Sequence, residues 1–201
     1  MAGAARRRDG SITQERMLEE AMTAIAEDGL GALTMSALAE RLGTSGGHIL
    51  YYFGSKDLLL LAALRWSEAA LAEERRELLA RRVTAPRRLD LFLQLYLPRG
   101  PGDPRWTLWI ELWARIPANE ELRAAQRELD RGWQQDLEAL LAKGVAQGRF
   151  APLDVTARAS ELLALLDGLS TRVVLGYESG PDARPALEAA RAAAGLLVPR
   201  V

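Results

Sequence analysis

The chain has 201 residues, 49 % of them hydrophobic, a formal net charge of −1 and no cysteine. That much apolar material supports one domain or two small ones, and the missing thiols exclude disulfides, thiolate metal sites and a cysteine nucleophile. The longest uninterrupted apolar run, residues 58–64, is far too short to span a bilayer. Residues 1–10 lack the apolar stretch of a secretory signal, so the expected location is cytoplasmic, with no membrane partner.

Residues 1–10 read as a flexible arm. Arg6, Arg7 and Arg8 on it are either a solvated run or a reach toward phosphates or the minor groove. Ser11 opens a helix expected to reach Asp28, with Leu18, Ala21, Met22 and Ile25 as its buried stripe and Gly29 and Gly31 ending it. Met35, Leu38, Ala39 and Leu42 then follow the spacing of a short amphipathic helix, capped by Thr34 and stopped by Gly43. Thr44 or Ser45 can cap another helix at once, anchored by Ile49 and Phe53. Ser45, Gly46, His48, Tyr51 and Tyr52 face the other way, small, polar or aromatic and without a carboxylate. A helix entering a major groove beside phosphates needs such a face. The helix–turn–helix spans 34–53 within a unit at 11–57.

Ser55 can cap a fourth, linking helix at 56–82. Its start, Leu58 to Leu64, is apolar on all sides and must pack on two partners, whereas Glu73 to Arg82 is mostly charged and expected to be exposed. The rest, 83–201, reads as a second helical domain. A fifth helix starts at Thr84-Ala85-Pro86 and offers Leu89, Phe92, Leu93, Tyr96 and Leu97 before a Pro/Gly-rich break at 98–104. The sixth, about Pro104 to Ile116, is apolar nearly all round and therefore central, leaving only Thr107, Glu111 and Arg115 as a polar stripe. A long helix from Asn119 to about Gly148 follows, then one from about Asp154 to Leu175 and, past a Gly/Pro-rich loop at 176–185, a last one. Leu162, Leu165, Leu169 and Val173, with Leu187, Ala190, Ala194 and Leu197, suit these last two helices to pairing with their copies in a four-helix dimer interface. The expected fold is all-α, about nine helices and no strand.

Candidate nucleic-acid contacts are Thr34, Ser36, Thr44, Ser45, Gly46, Gly47, His48, Tyr51, Tyr52 and Lys56. One of the two tyrosines is expected at a phosphate and the other in the core. Candidate effector-pocket residues are Phe92, Tyr96, Trp106, Trp109, Trp113 and Trp133, an aromatic set that serves equally as plain core. Glu111 either pairs with Arg115 on the surface or faces inward, where a carboxylate beside tryptophans suits a cationic ligand. No metal cluster, cofactor motif or catalytic constellation is present: His48 is the only histidine, and there is no phosphate-binding glycine loop.

Gly47, Ile49, Tyr52, Phe53, Ser55, Lys56 and Leu58 resemble the end of the DNA-binding domain of the TetR family of one-component transcriptional regulators. The family's first aromatic at this site, often a phosphate-contacting tyrosine, falls on Leu50, so the resemblance passes that role to Tyr51 or Tyr52. The stretch 109–115, Trp-Ile-Glu-Leu-Trp-Ala-Arg, with Leu166-Asp167-Gly168-Leu169, is similar to the C-terminal domain of the betaine-pathway repressor subgroup. The resemblance implies a homodimeric, ligand-responsive repressor of a palindromic operator in double-stranded DNA, released by a small-molecule effector. Two recognition helices would enter successive major grooves about 34–36 Å apart, and the fourth helix would carry the ligand signal to them.

Residues 1–56 hold six Lys or Arg against seven Asp or Glu, so a modest electrostatic footprint is expected, with dimerisation supplying affinity. The competing reading is a helical dimer that binds protein and no specific DNA. An enzyme is the weakest option, for want of any reactive set.

Overall fold

Four short polar side chains set where the N-terminal helices begin. The computed structural model describes residues 12–177 and 183–201, so the arm and Ser11 lie outside the described residues. Thr13 caps α1 (Gln14–Ala32) by accepting from the Arg16 amide, and Thr34 caps α2 (Met35–Leu42) by accepting from that of Ala37. Ser45 and Ser55 do the same for α3 (Gly46–Phe53) and α4 (Lys56–Ala80). Gly43 closes α2 at φ 68°, where a side chain would strain the left-handed turn. In α1 the run breaks at Gly29, φ 75°, as expected there, and one further turn reaches Ala32.

These caps fold α1, α2 and α3 into a compact head. Met17, Leu18, Ala21 and Ile25 of α1 share a core with Leu38, Ala39, Ile49 and Phe53. Two of the head's acidic residues are answered on the spot: Arg41 donates to Glu20 at 2.6 Å and to Glu27 at 2.9 Å.

Leu59, Leu60, Leu61, Ala63 and Leu64 of α4 are all buried, so its opening turns do pack on two sides. Its second half is mostly exposed, as expected, with Glu73, Glu74, Arg76, Glu77, Arg81 and Arg82 on the surface, but one row of α4 is covered. Glu68, Leu71, Arg75 and Leu78 form a buried row at helical spacing, because α5 (Ala85–Tyr96) and α7 (Glu120–Ala146) cover that face. Among the described residues the chain continues with α6 (Pro104–Trp113), a 3₁₀ turn at Ile116–Ala118, α8 (Val155–Val174) and α9 (Arg184–Leu197). Helix α6 stops at Trp113, short of Ile116, and Pro117, which has no N–H, cannot donate to the Trp113 carbonyl. In place of a strand the described residues hold one isolated antiparallel bridge, Phe150 to Arg200. The all-α reading holds. No described helix is long and apolar enough to cross a membrane.

Helices α8 and α9 correct the expected pairing face. Leu162, Val173, Ala190 and Ala194 are buried within the single chain, against α7, α5 and each other's helices, so they are core and cannot also meet a partner. Leu165, at 37 % exposure, points outward together with Leu175 and Leu196, the last two missed by the sequence reading. Leu169, Leu187 and Leu197 are half-buried. Around Gly168 and Gly195 there is open space where a second backbone could approach.

Candidate functional site

Two sites emerge, one on the head and one in the second half, with α6 between them. On the head, α3 turns Ile49 and Phe53 inward, and the opposite side of the helix is open. Tyr51 is 84 % exposed and Tyr52 45 %, so neither is core, contrary to the expected split. The rings sit edge to face at 5.6 Å, and Tyr52 also packs on His48 at 5.2 Å. His48 is oriented by Thr44, whose Oγ1 lies 2.8 Å from Nδ1. Thr34 and Ser45 use their hydroxyls as caps. Ser36 is exposed, and its Oγ would lie 3.4 Å from any Cβ added at Gly46, so a small residue lets α3 sit close on α2. Gly47 is exposed, and Lys56 Nζ donates back to the Gly31 carbonyl at 3.2 Å. The ten candidate contacts thus fall along one helix–turn–helix and the start of α4, exposed or half-buried.

The second site is a cavity of about 540 Å³ lined by α4 to α8. Tyr96, Trp106, Trp109, Trp113 and Trp133, five of the candidate pocket residues, line it. Their rings make a connected wall: Tyr96 and Trp133 at 4.7 Å, Tyr96 and Trp106 at 5.6 Å, Trp106 and Trp113 at 6.1 Å. Phe92 does not line the cavity. It is fully buried behind the wall, edge-on to Trp133 at 5.5 Å, and supports it.

Glu111 makes the expected pair with Arg115 and does not line the cavity. It lies two residues from both Trp109 and Trp113, about 200° around the helix, and so faces the head. The Leu30 amide donates to its Oε1 at 3.1 Å, and Arg115 Nη1 to its Oε2 at 2.8 Å. Arg115 in turn reaches Asp57, in the first turn of α4, at 3.2 Å.

The carboxylate beside the tryptophans is Glu68. It is buried, and the indole N–H groups of Trp109 and Trp133 each donate to one of its oxygens at 2.9 Å. Arg75 stands 3.7 Å away, stacks 3.9 Å over the Trp133 ring and donates to Asp136 at 2.7 Å. Two more acids line the cavity. Asp167 accepts from the Tyr96 hydroxyl at 2.5 Å, and burial holds its carboxyl above the usual range against the effect of that bond. Burial, then the charge of Asp167, pushes the Tyr96 hydroxyl well above its ordinary value. Asp130 is exposed on one side, yet burial of its carboxyl among the cavity walls and repulsion from Asp167 push it up to about 6. Of the cavity's arginines, Arg105 is spent on the carbonyls of Leu95, Tyr96 and Leu97, and Arg127 on Glu120.

Sequence reasoning missed Glu68, Asp130 and Asp167 as pocket residues. Asp167 had a signal, being an acid between Leu166 and Leu169 in an otherwise apolar stretch. The assembled cavity can hold a small organic cation: aromatic faces attract a cation through their quadrupoles, by about 0.5–2 kcal/mol each, and three carboxylates surround it.

The profile described as "Bacterial regulatory proteins, tetR family" matches residues 17–63, and that described as "BetI-type transcriptional repressor, C-terminal" matches 85–198. The HTH-type transcriptional regulator BetI of Burkholderia cenocepacia (strain HI2424) is 30 % identical over 196 residues, covering 93 % of this chain and 94 % of its own. BetI of Burkholderia mallei (strain NCTC 10229) is 30 % identical over 193 residues, covering 94 % and 96 %. Among solved structures, a transcriptional regulator from Saccharomonospora viridis in complex with choline superposes with a TM-score of 0.83 at 28 % identity, over 92 % of this chain and 96 % of that one. A TetR transcription regulator from Haloarcula marismortui gives 0.73 at 26 % identity, over 91 % and 96 %.

Proposed function

The chain belongs to the TetR family of bacterial transcriptional regulators, and from there we propose that it is a homodimeric, cytoplasmic repressor released from its operator by a small organic cation. The observation that carries the effector class is the aromatic cavity closed on Glu68, with Asp130 and Asp167 beside it. A quaternary ammonium compound fits this chemistry, because it cannot donate a hydrogen bond and must be held by ring faces and carboxylate charge. The choline held by the similar Saccharomonospora viridis regulator supports the same class.

Release follows from α6. One side of this helix carries Trp106, Trp109 and Trp113 on the cavity; the other carries Glu111, bound to the end of α1, with Arg115 next to it, bound to the start of α4. A ligand that prefers a shifted α6 moves the head with it, and the repressing spacing of two recognition helices is lost. Tyr51, His48 and Gly47 are the groove-facing residues of this reading, and Lys56 serves phosphate once it leaves the Gly31 carbonyl.

The test is a gel shift of the purified chain on its own upstream DNA against unrelated DNA, in a salt series, with and without choline. Selective binding that weakens steeply with salt and is released by the cation supports the proposal. Equal, weak binding to both DNAs would favour the protein-binding dimer instead.

A further inference from the structure

Away from the aromatic cavity, a second hollow of about 490 Å³ lies between α5, α9 and the last residues of the chain. Leu89 and Leu93 of α5, Ala194 and Val198, and the Phe150 ring give it an apolar floor. Phe150 reaches that place because Gly144 carries no side chain; a Cβ there would collide with the ring. The bridge between Phe150 and Arg200, and the Ala151 amide donating to the Pro199 carbonyl at 2.9 Å, then hold Arg200 at the rim.

That rim is cationic. Arg87, Arg191 and Arg200 line it, and Asp90 is the one acid among its described residues, accepting from Arg87 Nη1 at 2.5 Å and from Arg191 Nε at 2.6 Å. An adjoining, shallower hollow shares Thr84 and Arg87 and adds Arg82 and Arg149, with no acid. Five arginines thus meet one side-chain carboxylate, in a chain whose net charge is −1. Arg82, Arg149 and Arg200 are exposed and make no ion pair among the described residues. Arg87 and Arg191 are exposed too, and each spends one nitrogen of its fork on Asp90. A cleft lined by one sign of charge over a low-dielectric floor concentrates counter-ions, and guanidinium forks match carboxylate and phosphate oxygens.

We propose that this hollow is a second ligand site, for amphipathic organic anions: a carboxylate or phosphate group on Arg191 and Arg200, with an apolar body on the floor between Leu89 and Phe150. The site stands apart from the cation reading. Its charge is opposite, and it lies on the other side of α5, where Leu89 and Leu93 meet the hollow and Tyr96 meets the aromatic cavity.

The experiment is calorimetric titration of the full chain with octanoate, octyl phosphate, octanol and inorganic phosphate. At least one octyl anion is expected to bind about tenfold or more tighter than both octanol and inorganic phosphate, and the tighter of the two anions names the head group. In the double variant Arg191→Gln with Arg200→Gln that anion should lose about tenfold or more in affinity while the helical circular dichroism is kept. Octanol or inorganic phosphate binding as tightly as the octyl anions, no binding by any of the four, or an affinity unchanged in the folded double variant overturns the proposal. Should the variant lose its helical signal, the guanidinium Nε–H resonances of Arg191 and Arg200 in the nitrogen-labelled native chain decide. They must shift with the octyl anion and stay in place with octanol.

Discussion

Glu111 on α6 and Leu30 at the end of α1 are joined across the two halves of the chain, the Leu30 amide donating to Glu111 Oε1 at 3.1 Å over a separation of 81 residues. The bond falls just after the Gly29 break, where an amide has left the helical ladder and needs an acceptor. Replacing Glu111 by Ala leaves that amide and Arg115 with one partner fewer, at an expected cost of about 1–2 kcal/mol in urea unfolding. Glu111→Ala is expected to bind choline within about twofold of the native chain while losing cation-induced release of DNA, because only the contact with the head is cut. Release at native cation concentrations would refute coupling through this contact.

Glu68 holds two indoles and an arginine at once, so its removal is expensive. Glu68→Ala should lose about 3–5 kcal/mol of stability, the range for stripping one partner from a buried charged set. Glu68→Gln keeps one carbonyl acceptor and is the variant for binding work. Calorimetry with tetramethylammonium should show at least about tenfold weaker affinity, since one carboxylate charge on the cation side is gone.

The Asp130 carboxyl, pushed up to about 6, makes cation binding pH-dependent. A bound cation favours the ionised form, so affinity should rise as pH increases through 6 and level off above it. Stability moves the other way. The folded carboxyl holds its proton more tightly than the unfolded one, so the folded state gives up stability as pH climbs from the ordinary aspartate value to about 6. Asp130→Asn should remove the step near pH 6 from both profiles, leaving the contribution of the Asp167 carboxyl, which burial also holds above the usual range. Asp167, Glu68, Arg127 and Arg131 also line the cavity and remain in the variant.

On the head, Tyr51→Ala combined with Lys56→Ala should weaken operator binding by about tenfold or more and lower the salt slope by about one, from the lost lysine. Unchanged affinity in the gel shift would take both residues out of the interface.

Outward Leu165 and Leu196, 37 % and 83 % exposed on the single chain, give the dimer test. Replacing both with Glu should turn a sedimenting dimer into monomers while the helical circular dichroism stays intact. Leu162→Glu would instead unfold the protomer, because that side chain is core.

The sequence was most legible where structure is local. Thr34, Ser45 and Ser55 each mark a helix start with one hydroxyl and Gly43 a helix end with its left-handed turn, and all four stand where the spacing put them. The Trp-rich α6 was recognisable as central because it has almost no polar side. Its one polar stripe was not assignable, since a helix apolar on most faces does not announce which neighbour lies against the rest. Glu68 was the least legible. It stands in a linking helix among Ser67, Ala69 and Ala70, with nothing local to mark it as internal. Its partners Trp109 and Trp133 come 41 and 65 residues later, and only the packed fold brings them in. Leu162, Val173, Ala190 and Ala194 were misplaced on the dimer face for a related reason: α8 is apolar on two sides, and periodicity cannot say which is covered by the chain itself.

Four of the five tryptophans stand on the wall of one cavity, and the fifth, Trp66, is a partly exposed residue of α4. The protein is thereby its own optical reporter. Four of its five indoles stand at the place an effector would fill, where water and neighbouring charge set the colour of their emission. Candidate compounds can be ranked by the change in native glow alone, without a dye, a label or any knowledge of the operator.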